Sequence, residues 1–328
     1  MSTARAALGG LLLALAAAGV GAQTLSVQVD NDEFAGFNRH DRWYSQSLRA
    51  HRFQPAKADG PVARMADAWC GLQACDAGAV RTARWSIGQT LFMQNQRRLP
   101  AHDPDDRPMA GWLFASAATL IESRDQTRLA ELQVGVTGPA SLAEWVQTHW
   151  HRDVLRVEPA LGWDHQLRPR LGVQWQIAQE QRWPLFGQQV DVVGRAGGTV
   201  GTLQGQALLA FSLRLGDRLS GTAMPLEASA ATGRLDTGGR WSVQAGGAMR
   251  AVGWDRFIDG PLYGAVSRAR PAPWVAEAHL GATLAPTPAW RLRVALVRRT
   301  MEFDSEAVAR GRFKPQTFGT LQASVDWR

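Results

Sequence analysis

The sequence predicts an all-β protein, a transmembrane antiparallel β-barrel of twelve strands with a short helix in an outward-facing loop. Three observations predict it. Apolar and polar residues alternate with period two through most of the chain. The alternating segments run about 10–14 residues, where soluble strands average ~5–6 and membrane-barrel strands ~9–11. Trp is abundant, 14 against 2 Tyr, and recurs at strand ends (Trp43, Trp183, Trp241, Trp274, Trp290, Trp327), where an interfacial girdle would place it.

The elements follow in order. Arg5 precedes the apolar run 11–20, and Val20-Gly21-Ala22 supplies small residues for cleavage. This is the pattern of a secretory signal peptide over 1–22, with the mature start at Gln23 and a single barrel domain over 23–328. An apolar run of about ten residues is too short for a membrane anchor, which needs ~20. Strands are expected near 24–31, 43–53, 81–93, 110–123, 127–137, 166–181, 187–197, 202–215, 240–253, 274–284, 289–300 and 317–327. The clearest is 202–215, with Leu209, Phe211, Leu213 and Leu215 on one face and Ser212 and Arg214 on the other. An even number of strands puts both termini in the periplasm, so the odd-numbered connections open outward, near 32–42, 94–109, 138–165, 198–201, 254–273 and 301–316. Segment 141–151 breaks the alternation and reads as a helix with Ser141 as N-cap, so that Gln147 and His151 share one face. Cys70 and Cys75, in an inward segment, are expected to form a local disulfide in an oxidising compartment.

Composition sets the outer limits. A hydrophobic content of 45% with 20% charged residues excludes a wholly disordered chain. Net charge is +7, and removal of Arg5 leaves +6. The Arg residues are scattered and form no tract, so nucleic acid is not an expected partner. A soluble β-sandwich would also alternate, but strand length and the placement of Trp favour the barrel.

Polar groups gather in the outward connections: Asn31-Asp32 at the end of the first strand, Asp41, Ser45 and Ser47 at the start of the second, Arg97-Arg98 and Asp105-Asp106-Arg107 in the second loop, and Gln147, His151 and Glu158 in the third. Taken singly each has an ordinary explanation. Asp and Asn end strands as turn formers, an Arg pair is a solvated patch, and Asp105, Asp106 and Arg107 can pair with one another. Their convergence on one rim is what would make a site.

Several of these segments, in order over nearly the whole mature chain, resemble the outer-membrane lipid A 3′-O-deacylase family. They are DNDEF around Asn31-Asp32, DRWYSQS at 41–47, IGQTLF at 87–92, DDRPMAGWLF at 105–114, GPASLAEWVQTHWH at 138–151, GWDHQL at 162–167, FIDGPLYG at 257–264 and RTMEF at 299–303. The resemblance implies a twelve-stranded barrel that uses calcium to hydrolyse the 3′-linked acyloxyacyl group of lipid A. It implies that His151 is the general base activating water, that Gln147 helps hold the site, and that Asn31 and Asp32 form the Asn-Asp pair, with Asp32 as a calcium ligand. Ser45 stands where the family commonly has Thr. Arg97 or Arg98 stands near the family's basic pair. Glu158 is the nearest match to a second acidic ligand, one position late. The sequence departs from the family at Arg168-Pro169-Arg170, which leaves substrate detail open.

These residue types suit ester hydrolysis. Calcium prefers carboxylate and carbonyl oxygens and can polarise an ester carbonyl, an imidazole can take a proton from water, and guanidinium groups grip phosphates bidentately. The expected partners are lipopolysaccharide and the outer membrane, and the expected state is a monomer. Two other readings stay open: a non-enzymatic barrel (a channel or lipopolysaccharide-binding protein), and a phospholipid acyl hydrolase, for which the His-x-Ser arrangement is lacking.

Overall fold

The computed structural model describes residues 23–35, 42–72, 75–76, 78–222, 235 and 238–327. The expected signal peptide and Asp41 lie outside them. Twelve long strands close into one antiparallel barrel: β1 (Gln23–Asn31), β2 (Trp43–Pro55), β3 (Val80–Met93), β4 (Ala110–Glu122), β5 (Gln126–Thr137), β6 (Leu171–Phe186), β7 (Val190–Gly201), β8 (Gln204–Gly216), β9 (Trp241–Asp255), β10 (Trp274–Thr287), β11 (Trp290–Arg299) and β12 (Gln316–Trp327). Consecutive strands pair, and β1 closes the ring on β12, with Gln23 opposite Trp327 and Asn31 opposite Gly319.

The period of two sorts the side chains. In β8, Leu209, Phe211, Leu213 and Leu215 project outward and exposed, while Ser212 and Arg214 are buried in the lumen. Leu209 is 67% exposed, and an apolar belt of this kind is the surface a bilayer covers. The inward face carries charge. Arg84 meets Glu131 at 2.7 Å, Arg214 meets Asp191 at 2.8 Å, Arg299 meets Glu277 at 2.8 Å, and Arg195 pairs with Glu180. Each of these guanidinium groups is buried with a carboxylate partner, which is how a charge survives away from water. A cavity of about 50 Å³, bordered by Arg49, Thr90, Gln174 and Glu302, has room for a few waters.

Connections 32–42, 94–109, 138–170, 202–203, 256–273 and 300–315 emerge at one end of the barrel, here called the loop end. They interlock there. Arg107 reaches Glu302 at 2.6 Å, Arg268 reaches Asp105 at 2.8 Å, and Arg312 pairs with Asp103. Trp43, Ile258, Phe303 and Phe313 form a small apolar core, beside a two-residue pairing of Arg270–Pro271 with Phe303–Asp304. At the opposite end, α1 (Pro61–Leu72) buries Val62, Ala63 and Ala66, and Cys70 is disulfide-bonded to Cys75, as the spacing predicts.

The departures from expectation are local. β6 starts at Leu171 rather than 166, because Trp163–His165 form a 3-10 turn and Pro169 has no N–H to give a ladder. β7 extends to Gly201, which reduces the fourth outward connection to Thr202 and Leu203. Trp183, Trp241, Trp274 and Trp290 stand exposed at strand ends as a girdle requires, and Trp327 is half-buried. Trp43 does not join them. It is 3% exposed and its Nε1 donates to Asp106 Oδ1 at 2.8 Å. Nor do Asp105, Asp106 and Arg107 pair among themselves by side chain, since Arg107 and Asp105 find partners on other loops.

Candidate active site

One half of the site is built where β1 ends. Asn31 Oδ1 accepts from Glu33 N at 2.7 Å, turning the chain out of the strand into a short 3-10 turn, Glu33–Ala35. Asp32 follows, 1% exposed; its N donates to Ser45 O at 3.2 Å, and its Oδ2 accepts from Arg42 N at 2.8 Å. Ser45 is the extra residue of a β-bulge: Tyr44 faces Phe92 and Gln46 faces Leu91, which leaves Ser45 unopposed and buried. Trp43, just before the bulge, has φ 55°. An aromatic residue in the left-handed region costs ~1–2 kcal/mol. Edge-to-face packing on Phe303 and Phe313, at 5.7 and 5.6 Å, and the hydrogen bond to Asp106 hold it there.

The other half is the loop after β5. Gly138–Ser141 form a 3-10 turn, α2 spans Ala143–His149, and the chain continues as a π-helical turn, Trp150–Leu155. Ser141 is not the N-cap the sequence suggests. Its Oγ donates to Gly138 O at 2.6 Å, and the cap is Leu142, at φ 58°, with no side-chain cap bond. The turn can lie on the barrel wall because β4 presents Gly111. A Cβ there would meet Ser141 Oγ at 2.1 Å and Ala143 Cβ at 2.4 Å. Leu91, Met93, Met109, Ala143, Ala160 and Trp163 make the apolar seat beneath. Gln147 and His151 fall one turn apart on the buried face, as their spacing predicts. Gln147 Oε1 accepts from Ala160 N at 3.2 Å and Trp163 Nε1 at 3.3 Å, tying down the returning loop. Its buried Nε2 makes no hydrogen bond among the described residues.

The loop after β3 joins the halves. Asn95 Oδ1 accepts from Arg42 Nη1 at 3.0 Å, next to Asp32. Two residues on, Arg97 Nη1 lies 2.9 Å from His151 Nδ1, and Arg97 O accepts from Leu161 N at 2.7 Å. Gln94 Nε2 donates to Leu99 O at 2.9 Å and fixes the loop between. Asp106 clamps it from below, accepting from Asn95 N at 2.6 Å, Trp43 Nε1 at 2.8 Å and Arg107 N at 2.7 Å. Burial pushes the Asp106 carboxyl up to about 6, against the opposing pull of those hydrogen bonds. Burial also lowers the Arg42 guanidinium, which Asp32 and Asp106 partly restore.

Asn31, Asp32, Ser45, Arg97, Gln147 and His151 thus stand at the loop end in one connected set of contacts. Arg98 and Glu158 stand apart from it. They pair with each other at 3.0 Å on the surface, 70% and 71% exposed. Glu158 approaches His151 only through its backbone, with its carbonyl O 3.4 Å from Nδ1. Among the described residues no three His, Cys, Asp or Glu side chains are grouped to hold a metal. The oxygens at Asn31, Asp32 and Ser45 are hard donors of the kind calcium takes, but they include one carboxylate, so an ion there would draw further oxygens from water and substrate. The sequence did not single out Arg42, Trp43, Asn95 or Asp106 for the site: Arg42 and Trp43 stand inside the DRWYSQS segment and Asp106 inside DDRPMAGWLF, while nothing marks Asn95.

The profile of the family described as "Outer membrane protein LpxR" matches residues 5–327. Among solved structures, LpxR from Salmonella typhimurium superposes with a TM-score of 0.74 at 16% identity, covering 92% of this chain and 99% of that one. The β domain of the Bordetella autotransporter BrkA, at 8% identity, covers 94% of this chain and 100% of that one, with a TM-score of 0.48. A search of curated protein sequences finds no match. With the family profile spanning nearly all of its length, and with a closed twelve-stranded barrel, the chain belongs to the LpxR family, the outer-membrane lipid A deacylases.

Proposed function

We propose that this protein is a calcium-dependent ester hydrolase that removes the 3′-linked acyloxyacyl group of lipid A, with His151 as the base. The observation that carries the reading is the placement of His151: 5% exposed, on a helical turn seated against the barrel wall, and joined through the Arg97 loop to the Asp32–Ser45 corner. His151 takes a proton from water; the resulting hydroxide adds to the ester carbonyl carbon, the C–O bond to the sugar breaks, and the departing alkoxide receives the proton back. Gln147 keeps the helix and the returning loop in register. Arg97 and Arg98 bind phosphate. Asp32, with oxygens of Asn31 and Ser45, would hold calcium, which when bound supplies polarisation of the ester carbonyl. With both termini in the periplasm, the loop end faces outward, where lipid A resides.

Mass spectrometry of lipid A from cells expressing the protein tests the reading. Loss of the acyloxyacyl mass is expected with wild type in millimolar calcium. His151→Ala should abolish it, a drop of at least ~10²-fold, while heat-modifiable migration shows an intact barrel. Chelation should silence wild type. An unchanged lipid A profile with wild type in calcium would sink the proposal, and release of fatty acid from phospholipid instead would point to the rival hydrolase.

A further inference from the structure

Nδ1 of His151 has two neighbours with opposite demands. Arg97 Nη1, at 2.9 Å, can only donate; the Glu158 carbonyl oxygen, at 3.4 Å, can only accept. A ring nitrogen carries either a proton or a lone pair, so the two contacts exclude each other. The Arg97 contact is shorter and charge-assisted. It therefore sets the resting tautomer, with the lone pair on Nδ1 and the proton on Nε2. In that form Nε2 cannot accept a proton from water, and Nδ1 is occupied. The neutral ring is a base with its lone pair spent on Arg97.

The surroundings suit a switch between the two contacts. The Glu158 carbonyl follows a backbone turn held to the main chain of His151, since Val157 N donates to His151 O at 3.0 Å and Arg156 turns the chain at φ 59°. The Arg97 backbone is likewise pinned by Leu161. The flexible partner is the Arg97 side chain, whose guanidinium is suited to a phosphate.

We propose that Arg97 is a substrate-released latch on the base, making hydrolysis conditional on a phosphate carried by the lipid. The substrate phosphate draws the guanidinium off Nδ1. One proton leaves Nε2 to water and one arrives from water at Nδ1, with no net change in charge. Nδ1–H then donates to the Glu158 carbonyl, and the Nε2 lone pair faces the attacking water. Arg97 is thereby a specificity-determining residue as well as a phosphate ligand. The inference rests on the reading of His151 as the base.

The test compares phosphorylated lipid A with the same lipid stripped of phosphate, using full-length protein in detergent and calcium. Wild type should show kcat higher by about tenfold or more on the phosphorylated lipid, the scale of one charge-assisted hydrogen bond. Arg97→Met should lose that preference from both sides, faster than wild type on the stripped lipid and slower on the phosphorylated one. Arg97→Lys, which also can only donate, should keep the direction of preference. In ¹⁵N spectra of labelled His151, Nδ1 should read as unprotonated in free wild type and protonated with an ether-linked phosphorylated analogue. Equal kcat of active wild type on the two lipids, an Arg97→Met enzyme slower than wild type on the stripped lipid, or an unchanged ring tautomer overturns the latch and leaves the hydrolase reading standing. Wild type inactive on both lipids ends both.

Discussion

At Asp106 a single buried carboxylate accepts from the indole of Trp43 and from two backbone amides, and so fixes the start of β2, the Asn95–Arg97 loop and the entry to β4 together. Its carboxyl is raised from the ordinary 3.8 to about 6, with burial as the leading cause. Between those values the folded protein holds a proton that the unfolded chain has released. Stability from this group therefore falls as pH rises from about 4 to about 6, by something on the order of 2–3 kcal/mol. Thermal unfolding in detergent at pH 4.5 and pH 7 should show wild type gaining on Asp106→Asn as pH falls; a difference between the two proteins that is the same at both pH values would refute the assignment. The sequence shows Asp106 only as the middle of an Asp-Asp-Arg run. Two of its donors come from residues 11 and 63 positions away in the chain, which no local pattern encodes. Gln147 and His151 are the opposite case: a spacing of four on one helical turn is a local fact, and it places both on the buried face.

At the scale of elements, the helix that carries the candidate base is held by shape. Gly111 lets the 138–143 turn lie on β4, with no room for a Cβ. Gly111→Ala should push the turn outward and move His151 from its partners. The expected result is a loss of lipid A hydrolysis of about tenfold or more, with the heat-modifiable barrel band unchanged; full activity would mean the turn has slack. Leu142 starts α2 at φ 58° and is half exposed. Leu142→Gly removes a left-handed strain of ~1 kcal/mol, so hydrogen exchange across 143–149 should slow; faster exchange would show that the exposed leucine holds the helix down. The break in alternation marks this segment as a helix, but the sequence places its cap one residue early. Ser141 is a good cap by type, and only the approach of Gly138 explains why its hydroxyl turns to that carbonyl instead.

For the whole molecule, the described residues fill the lumen with paired charges. Glu180 pairs with Arg195 and accepts from Thr222, and Asp191 holds both Arg182 and Arg214. Planar bilayers containing the protein should show no stepwise conductance, and porin-like steps would contradict this packing. Glu180→Gln strands a buried guanidinium and should cost about 3–5 kcal/mol. The double replacement of Glu180→Leu with Arg195→Met should recover most of that, as read by the melting of the barrel band; no recovery would show that the pair has a role beyond charge balance.

The sequence by itself determined the barrel, the number of strands and the faces of each strand, because alternation with period two is a property of neighbouring residues and survives without knowledge of the rest of the chain; the resemblance to the family came separately, from the order of the motif segments. It also placed Asn31, Asp32, Ser45, Gln147 and His151 at one end, through the parity of the connections. Tertiary structure alone decided which groups touch. It buried Trp43 under the loops rather than in the girdle, sent Arg98 and the Glu158 carboxylate to the surface as a pair, and set Arg97 against the imidazole. These outcomes depend on loops from opposite parts of the chain meeting above the barrel, where packing and charge, rather than periodicity, choose the partner.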